Sequence, residues 1–314
     1  MNVMNALCEN VLPLTAASLK NNKQCLSLVS LKFMIWKIVY YRLVQKLSFT
    51  NDKMAFSLKT RKTFDESTNC THRKLIAFDF DHTVVEDNTD IVVRNLVGKE
   101  KISDDVKRLH TASGWIPYMQ AIFHILNANN ITKSRIKATI ENIPEVNGLK
   151  DLIKKLNQMG NIDVIIISDS NSVFINYWCD FNAVTQYIKK IFTNQAQFME
   201  NDILEIQPYH HQTGCQLSSI NLCKGDILEE FVKNEFEQNN VIYSKIFYIG
   251  DGHNDICPVL RLGAADYGLA RKGFTMEREI DAVPKELGVL HATFRVWSDG
   301  RDLDKIIFDC LSEN

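Results

Sequence analysis

The sequence predicts an α/β fold with a doubly wound, mostly parallel sheet, and three observations carry that reading. Apolar runs of strand length break into polar residues at "LIAFDFDHT" (75–83), "DVIIISDSNS" (163–172) and "KIFYIGDGHND" (245–255). Each run is continuous rather than alternating, the pattern of a strand covered on both faces. Helix-period stretches lie between them, so the chain alternates strand, helix, strand, and ligands are expected outside the carboxyl ends of the strands.

The elements follow in order. The first run ends in Asp79 and Asp81, which a strand would project to one side. Two such carboxylates repel and raise each other's proton affinity, so the pair needs a cation or a reaction to serve. About eighty residues without a strand signal follow, and 91–144 reads as a helical insertion closed by "PEVNG". "GLKDLIKKLNQMG" sets Leu149, Leu152, Ile153 and Leu156 on one helical face, with Gly160 as the stop. The second run delivers Ser168 and Asp169. "KGDILEEFVKNEFEQ" is a helix opening at Lys224, and the third run ends in "GDGHND", where Gly250 and Gly252 are expected to let the loop turn sharply. One rim should therefore gather Asp79, Asp81, Ser168, Asp169, Asp251 and Asp255.

Composition bounds the function. A chain of 314 residues, 45% hydrophobic and 24% charged, has room for one large domain or two modest ones. A net charge of -2 argues against a broad nucleic-acid surface. The 8 cysteines are too sparse for a disulfide scaffold and read as reduced thiols. Cys215 and Cys223 are too far apart for a CxxC unit, which argues against zinc. Residues 1–70 differ in character. No acidic residue lies between Glu9 and Asp52, and Lys20, Lys23, Lys32, Lys37, Arg42 and Lys46 interrupt the apolar runs. No uncharged span reaches the roughly 20 residues that a bilayer needs. This leader reads as an extension outside the fold in a cytoplasmic protein, with a mitochondrial targeting segment as the alternative.

The carboxylates suggest a chemistry. An aspartate can attack phosphorus and form an acyl phosphate, while a second acid protonates the leaving alkoxide and then takes a proton from water. Mg²⁺ would offset the repulsion between carboxylate and phosphate, with Asp79 and Asp251 as natural ligands and Asp255 in support. The Ser168 hydroxyl and Lys224 are suitable donors to the remaining phosphate oxygens.

"FDFDHTVVEDNTD", "IIISDSNSVFI", "NLCKGDIL" and "YIGDGHNDICP" resemble, in order, the four motifs of haloacid dehalogenase-superfamily phosphatases. More narrowly, they resemble the family of phosphoethanolamine/phosphocholine phosphatase and pyridoxal phosphate phosphatase. The resemblance runs from about residue 73 to the end, through "RKGF" and "VWSDG". It implies a Mg²⁺-dependent phosphomonoesterase with a Rossmannoid core at 71–90 and 145–314 and a helical cap at 91–144. Asp79 would be the nucleophile and a metal ligand. Asp81 would be the acid/base and a metal ligand through its carbonyl, Asp251 the third ligand, and Asp90 and Asp169 would stand at the substrate. An acidic pair beside a phosphate site suits a substrate that carries a protonated nitrogen. The pattern places pyridoxal 5'-phosphate first as substrate, with phosphoethanolamine or phosphocholine as the alternative. From another class, a receiver-like phospho-acceptor module is disfavoured by the cap insertion, and an ion pump by Asp81. Two features depart from the family: His82 follows the second aspartate, and Ser218 and Ser219 stand where relatives often carry Cys and Pro.

Overall fold

The computed structural model describes residues 57–59, 70–110 and 115–312, all within one compact unit spanning Ser57–Asn314. The expectations for the leader fall almost wholly outside these residues. In chain order the elements are β1 (Thr71–Phe78), α1 (Thr89–Arg94), α2 (Asp104–Arg108), α3 (Trp115–Ala128), α4 (Lys133–Glu141) and α5 (Leu149–Gln158). Then come β2 (Ile162–Asn171), α6 (Ser172–Phe181), β3 (Lys190–Phe198), β4 (Leu204–Gln207) and α7 (Lys224–Asn239). The chain closes with β5 (Val241–Gly250), α8 (Ile256–Arg261), β6 (Tyr267–Arg271), α9 (Thr275–Glu279), β7 (Thr293–Trp297) and α10 (Gly300–Ser312).

The sheet has seven strands in the order β4-β3-β2-β1-β5-β6-β7, parallel throughout except for the edge pair β3–β4. The three apolar runs form its centre, β2-β1-β5. Phe78 pairs with Ile166 on one side and Ile249 on the other, so β1 and β5 end at one level while β2 runs on to Asn171. Leu75, Ile76, Ala77 and Phe78 are fully buried, as are Ile165, Ile166 and Ile167, because helices cover both faces.

The helix predicted after "PEVNG" is α5, and Gly160 lies just past its end at φ 73°, the left-handed conformation that closes a helix and that glycine adopts without strain. Helices α1–α4 fill the space between β1 and β2 in sequence. Val93, Tyr118, Met119, Ile122, Phe123, Ile136 and Ile140 join the apolar cluster that includes β1 and β2. At its centre, buried Trp178 of α6 meets Phe80 edge to face at 5.6 Å and donates its indole N–H to Ile143 O at 2.9 Å. No helix of the described residues is long and apolar enough to cross a membrane.

Candidate active site

The strand ends bring the acids together around one lysine. Lys224 is the first residue of α7 and is fully buried. Its Nζ lies 2.8 Å from Asp79 Oδ1 and 2.8 Å from Asp255 Oδ1. Burial opposes the Lys224 charge, but Asp255 and Asp79 outweigh it and hold the ammonium's pKa above the ordinary lysine value. The cation is thus fixed in place by two anions.

Asp255 is saturated. Its Oδ1 accepts from Lys224 and from the Tyr248 hydroxyl at 2.7 Å, and its Oδ2 accepts the backbone N–H groups of Asp251 at 3.0 Å and Gly252 at 2.9 Å. It therefore braces the loop, orienting Lys224 and Asp251 rather than facing a ligand. The chain turns from β5 into the next helical segment within a few residues, and neither Gly250 nor Gly252 takes a positive φ there. Gly250 is needed for space instead: a Cβ there would lie 2.3 Å from Asp255 Cγ.

Asp79 and Asp81 reach the rim differently from two residues on one strand. β1 ends at Phe78, and Asp79 extends its ladder by one bond, Asp79 N to Ile249 O at 2.8 Å. Asp81 lies in the turn beyond and is held by α1, accepting from Thr89 N at 3.1 Å and Thr89 Oγ1 at 3.2 Å. The Thr89 and Ser170 hydroxyls are 2.7 Å apart, which links this turn to the end of β2. His82 sits at φ 56°, a conformation that Asn or Gly adopts more readily. Its ring nitrogen Nδ1 is 2.8 Å from Glu86 O, and its carbonyl accepts from Arg271. His82 thus shapes the turn that presents Asp81.

Burial pushes the Asp79 carboxyl well up; Lys224 opposes this, while Asp255 and Asp251 add to it. Burial also raises Asp81, with Asp90 and Asp79 adding and the Thr89 N–H opposing. Asp251 is pushed to about 7 by burial first, then by Asp255, against Lys224. This crowding of desolvated acids is what a cation would relieve. Asp79, Asp251 and Asp255 offer oxygens within 4.8 Å of one another. Asp79 Oδ1 is buried with no well-aligned hydrogen bond, its contact with Lys224 being an ion pair at an unfavourable angle. Hard oxygen donors with a free lone pair fit Mg²⁺, and since Asp255 is saturated, Asp79 and Asp251 are the side chains that would hold it.

Ser168 is fully buried on β2, just beyond the level at which β1 ends, and accepts from Ser170 N at 3.2 Å, which leaves its own hydroxyl hydrogen to donate elsewhere. Asp169 is not the cap of α6, since Asn171 takes that place by accepting from Phe174 N. Asp169 Oδ2 instead accepts from Asn254 of the "GDGHND" loop at 3.0 Å. Asp90, also buried, accepts the Trp115 indole N–H at 2.8 Å, while its Oδ1 and Asn171 Nδ2 complete no hydrogen bond of good geometry. A cavity of about 500 Å³ opens beside these groups, with His110, Trp115, Asp169, Leu217 and Asn254 in its wall. His110 packs edge on against Trp115 at 5.1 Å and Tyr118 at 5.0 Å.

Sequence reasoning missed Thr89, Tyr248, Asn254 and the indole of Trp115. The signal for Asn254 was its place inside "GDGHND", and that for Thr89 its place where a helix starts. Tyr248 carried none, being one more apolar position in a buried strand.

Burial lifts the Asp90 carboxyl to about 7, against the Trp115 donor and with Asp169 adding. A carboxyl raised on folding binds more protons folded than unfolded, so the stability it contributes is present at low pH and is lost between pH 3.8 and about 7. Asp90→Asn, which keeps an acceptor for Trp115, is therefore expected to raise the melting temperature of chelator-treated protein at pH 8 by about 3 °C or more, the shift roughly 1 kcal/mol gives at this size. The gain should vanish near pH 4. A fall at pH 8 in scanning calorimetry would contradict this assignment.

A family model described as Putative Phosphatase matches residues 74–311. "Probable phosphatase phospho2" of Xenopus tropicalis is 36% identical, over 74% of this chain and 95% of its own length. The pyridoxal phosphate phosphatase PHOSPHO2 of Homo sapiens is 33% identical, over 73% of this chain and 95% of its own length. The phosphoethanolamine/phosphocholine phosphatase of Gallus gallus is 28% identical, over 76% and 89%. Among solved structures, a phospho-aspartyl intermediate analogue of phosphoserine phosphatase superposes with a TM-score of 0.51 at 19% identity, over 76% of this chain and 99% of its own, and shares the fold.

Proposed function

The chain belongs to this haloacid dehalogenase-type phosphatase family and is a phosphoric monoester hydrolase; from that premise we propose that it cleaves pyridoxal 5'-phosphate through an aspartyl-phosphate intermediate. One observation carries the mechanism: Asp79 faces a fully buried Lys224 at 2.8 Å, while Asp81 is held apart from that lysine by Thr89. Burial raises both carboxyls; at Asp79 the Lys224 ammonium opposes that rise and supports the ionised form that attacks, whereas at Asp81 only the Thr89 N–H opposes it, and the neighbouring acids add to the protonated form that donates.

In the first half-reaction, an Asp79 carboxylate oxygen forms a bond to phosphorus as the ester P–O bond breaks, and Asp81 gives its proton to the departing alkoxide. In the second, Asp81, now a carboxylate, takes a proton from the water that attacks the acyl phosphate, releasing inorganic phosphate and restoring Asp79. Mg²⁺ held by Asp79, Asp251 and the Asp81 carbonyl would supply charge stabilisation at the phosphoryl oxygens. Ser168 and Lys224 are the donors available to those same oxygens.

The name of the human relative supports pyridoxal 5'-phosphate, and so does the aromatic wall of His110 and Trp115, against which a flat ring can stack. The second reading, phosphoethanolamine or phosphocholine, is favoured by buried Asp90 beside Trp115, an acid and a π-face suited to an ammonium group. Phosphate release from pyridoxal 5'-phosphate, phosphoethanolamine, phosphocholine and phosphoserine, with Mg²⁺ or with a chelator, decides between them. Metal-dependent release from the first is expected; preferential release from the amino-alcohol esters would move the substrate to the second reading. Asp81→Asn is expected to slow both half-reactions by about 10²–10⁴-fold, the range for loss of one acid/base group. Acid-quenched protein should then retain acyl phosphate, whereas clearance at the unmodified rate would remove Asp81 from the second step.

A further inference from the structure

A second cluster stands beside the carboxylates and takes no part in the chemistry above. Cys215, Cys223 and Cys257 are separated in sequence, yet their sulfurs converge, Cys215 Sγ to Cys257 Sγ at 3.4 Å and Cys223 Sγ to Cys257 Sγ at 3.7 Å. Within the cluster all three sulfurs lie inside 4.8 Å. Cys223 and Cys257 are buried and Cys215 is partly exposed. The two-cysteine spacing gave no zinc unit; the third thiol, from α8, is supplied by the fold.

From this arrangement we infer that the three thiols bind one zinc ion, with the Ser218 hydroxyl or a water as the fourth ligand. Four ligands about zinc at a Zn–S distance of about 2.3 Å place sulfurs about 3.8 Å apart along each tetrahedral edge, close to the separations found here. The Ser218 hydroxyl is 3.4 Å from Cys215 Sγ, on the partly exposed side of the cluster. Gln212 shapes the loop that presents both: its Oε1 accepts from Cys215 N at 2.9 Å, and its Nε2 lies 2.8–3.2 Å from the carbonyls of Cys215, Ser218 and Ser219. A glycine makes room, since a Cβ on Gly225 would lie 2.6 Å from Cys257 Sγ.

Charge and access also fit. On binding, the three thiols release their protons to solvent, leaving three thiolates around a dication with a net charge of -1. The Arg261 guanidinium, 3.6 Å from Cys223 Sγ, faces that charge, while also pairing with Asp226 and Glu229. A cavity of about 430 Å³ reaches Cys215, Cys257 and Arg261 and gives an entry path. A disulfide would use two sulfurs and leave the third idle, whereas zinc uses all three.

The site would act on the active centre by position. Cys223 immediately precedes Lys224, and Cys257 follows Asp255 by two residues, so one ion would pin the start of α7 to the start of α8 across the Lys224–Asp255 pair. It is a structural clamp with no reacting atom.

The test uses reduced, chelator-treated full-length protein titrated with Co²⁺ in excess Mg²⁺, which occupies the carboxylates. One Co²⁺ per chain is expected, with the charge-transfer band of cobalt thiolate and the visible bands of tetrahedral cobalt, both bleached by one equivalent of Zn²⁺. Cys215→Ser should weaken Zn²⁺ binding at least tenfold. Ser218→Cys, on a partly exposed loop, should tighten it at least tenfold and strengthen the charge-transfer band, which keeps the test decisive if Cys215→Ser fails to fold. Absence of any thiolate band in both the unmodified protein and Ser218→Cys would overturn the inference. So would unchanged Zn²⁺ affinity in folded Cys215→Ser, or an intact mass lighter by two hydrogens showing a native disulfide. None of these readouts depends on phosphatase activity.

Discussion

Asp79→Asn is expected to lower turnover by more than about 10³-fold, the scale on which removal of a single nucleophile acts, while leaving the fold intact. The amide keeps the shape of the carboxyl but cannot form the acyl phosphate. Its effect on stability should have the opposite sign. Asp79 is 4% exposed, its carboxyl is pushed up by burial, and Asp255 and Asp251 lie close by. Removing one charge from a crowded set of acids should leave the metal-free protein at least as resistant to heat, with Lys224 still paired to Asp255 at 2.8 Å. Activity assays and thermal melts on the same preparation check both halves. Residual turnover above about one per cent would remove Asp79 as nucleophile, and a large fall in melting temperature would show that its charge holds the fold together.

Lys224→Met is expected to destabilise the protein by about 3–5 kcal/mol, the cost of breaking a buried ion pair by removing one partner. Two carboxylates, Asp79 and Asp255, would lose their shared cation in a site from which solvent is excluded. Activity should fall with it, since the ionised form of Asp79 loses its support. Loss of folding alone could explain an inactive variant, so the informative partner is Lys224→Met with Asp255→Asn. Removing one of the two stranded charges should restore part of the stability, and urea unfolding of the four members of the cycle measures the coupling. No recovery in the double variant would mean that Asp255 acts through its bonds to Tyr248 and the backbone more than through Lys224.

Much of this architecture was legible in the residues. Continuous apolar runs announced strands covered on both faces, and the three runs became adjacent strands because parallel α/β topology places such strands at the centre of the sheet. The edge pair β3–β4 was not anticipated: "KIFTNQAQF" and "LEIQ" are short or mixed in polarity, with burial that varies along each strand. The acids were found because charge at the end of a buried run is costly and therefore informative. Their individual bonding partners were not. That Asp255 is saturated while Asp79 keeps an unaligned lone pair depends on angles to Lys224, Tyr248 and the loop N–H groups, which spacing does not encode.

By itself the sequence determined the period of each element, the order of the motifs and the identity of the groups available for chemistry. Those follow from local physics: side-chain alternation, helical period and the cost of burying charge. Tertiary structure decided which groups meet. It set Thr89 against Asp81, Trp115 against Asp90, Asn254 against Asp169 and Cys257 against Cys215 and Cys223. Each of these contacts joins residues brought together by packing around the sheet, and a hydrogen bond or a metal ligand is won or lost within a few tenths of an ångström, which only the packed core fixes.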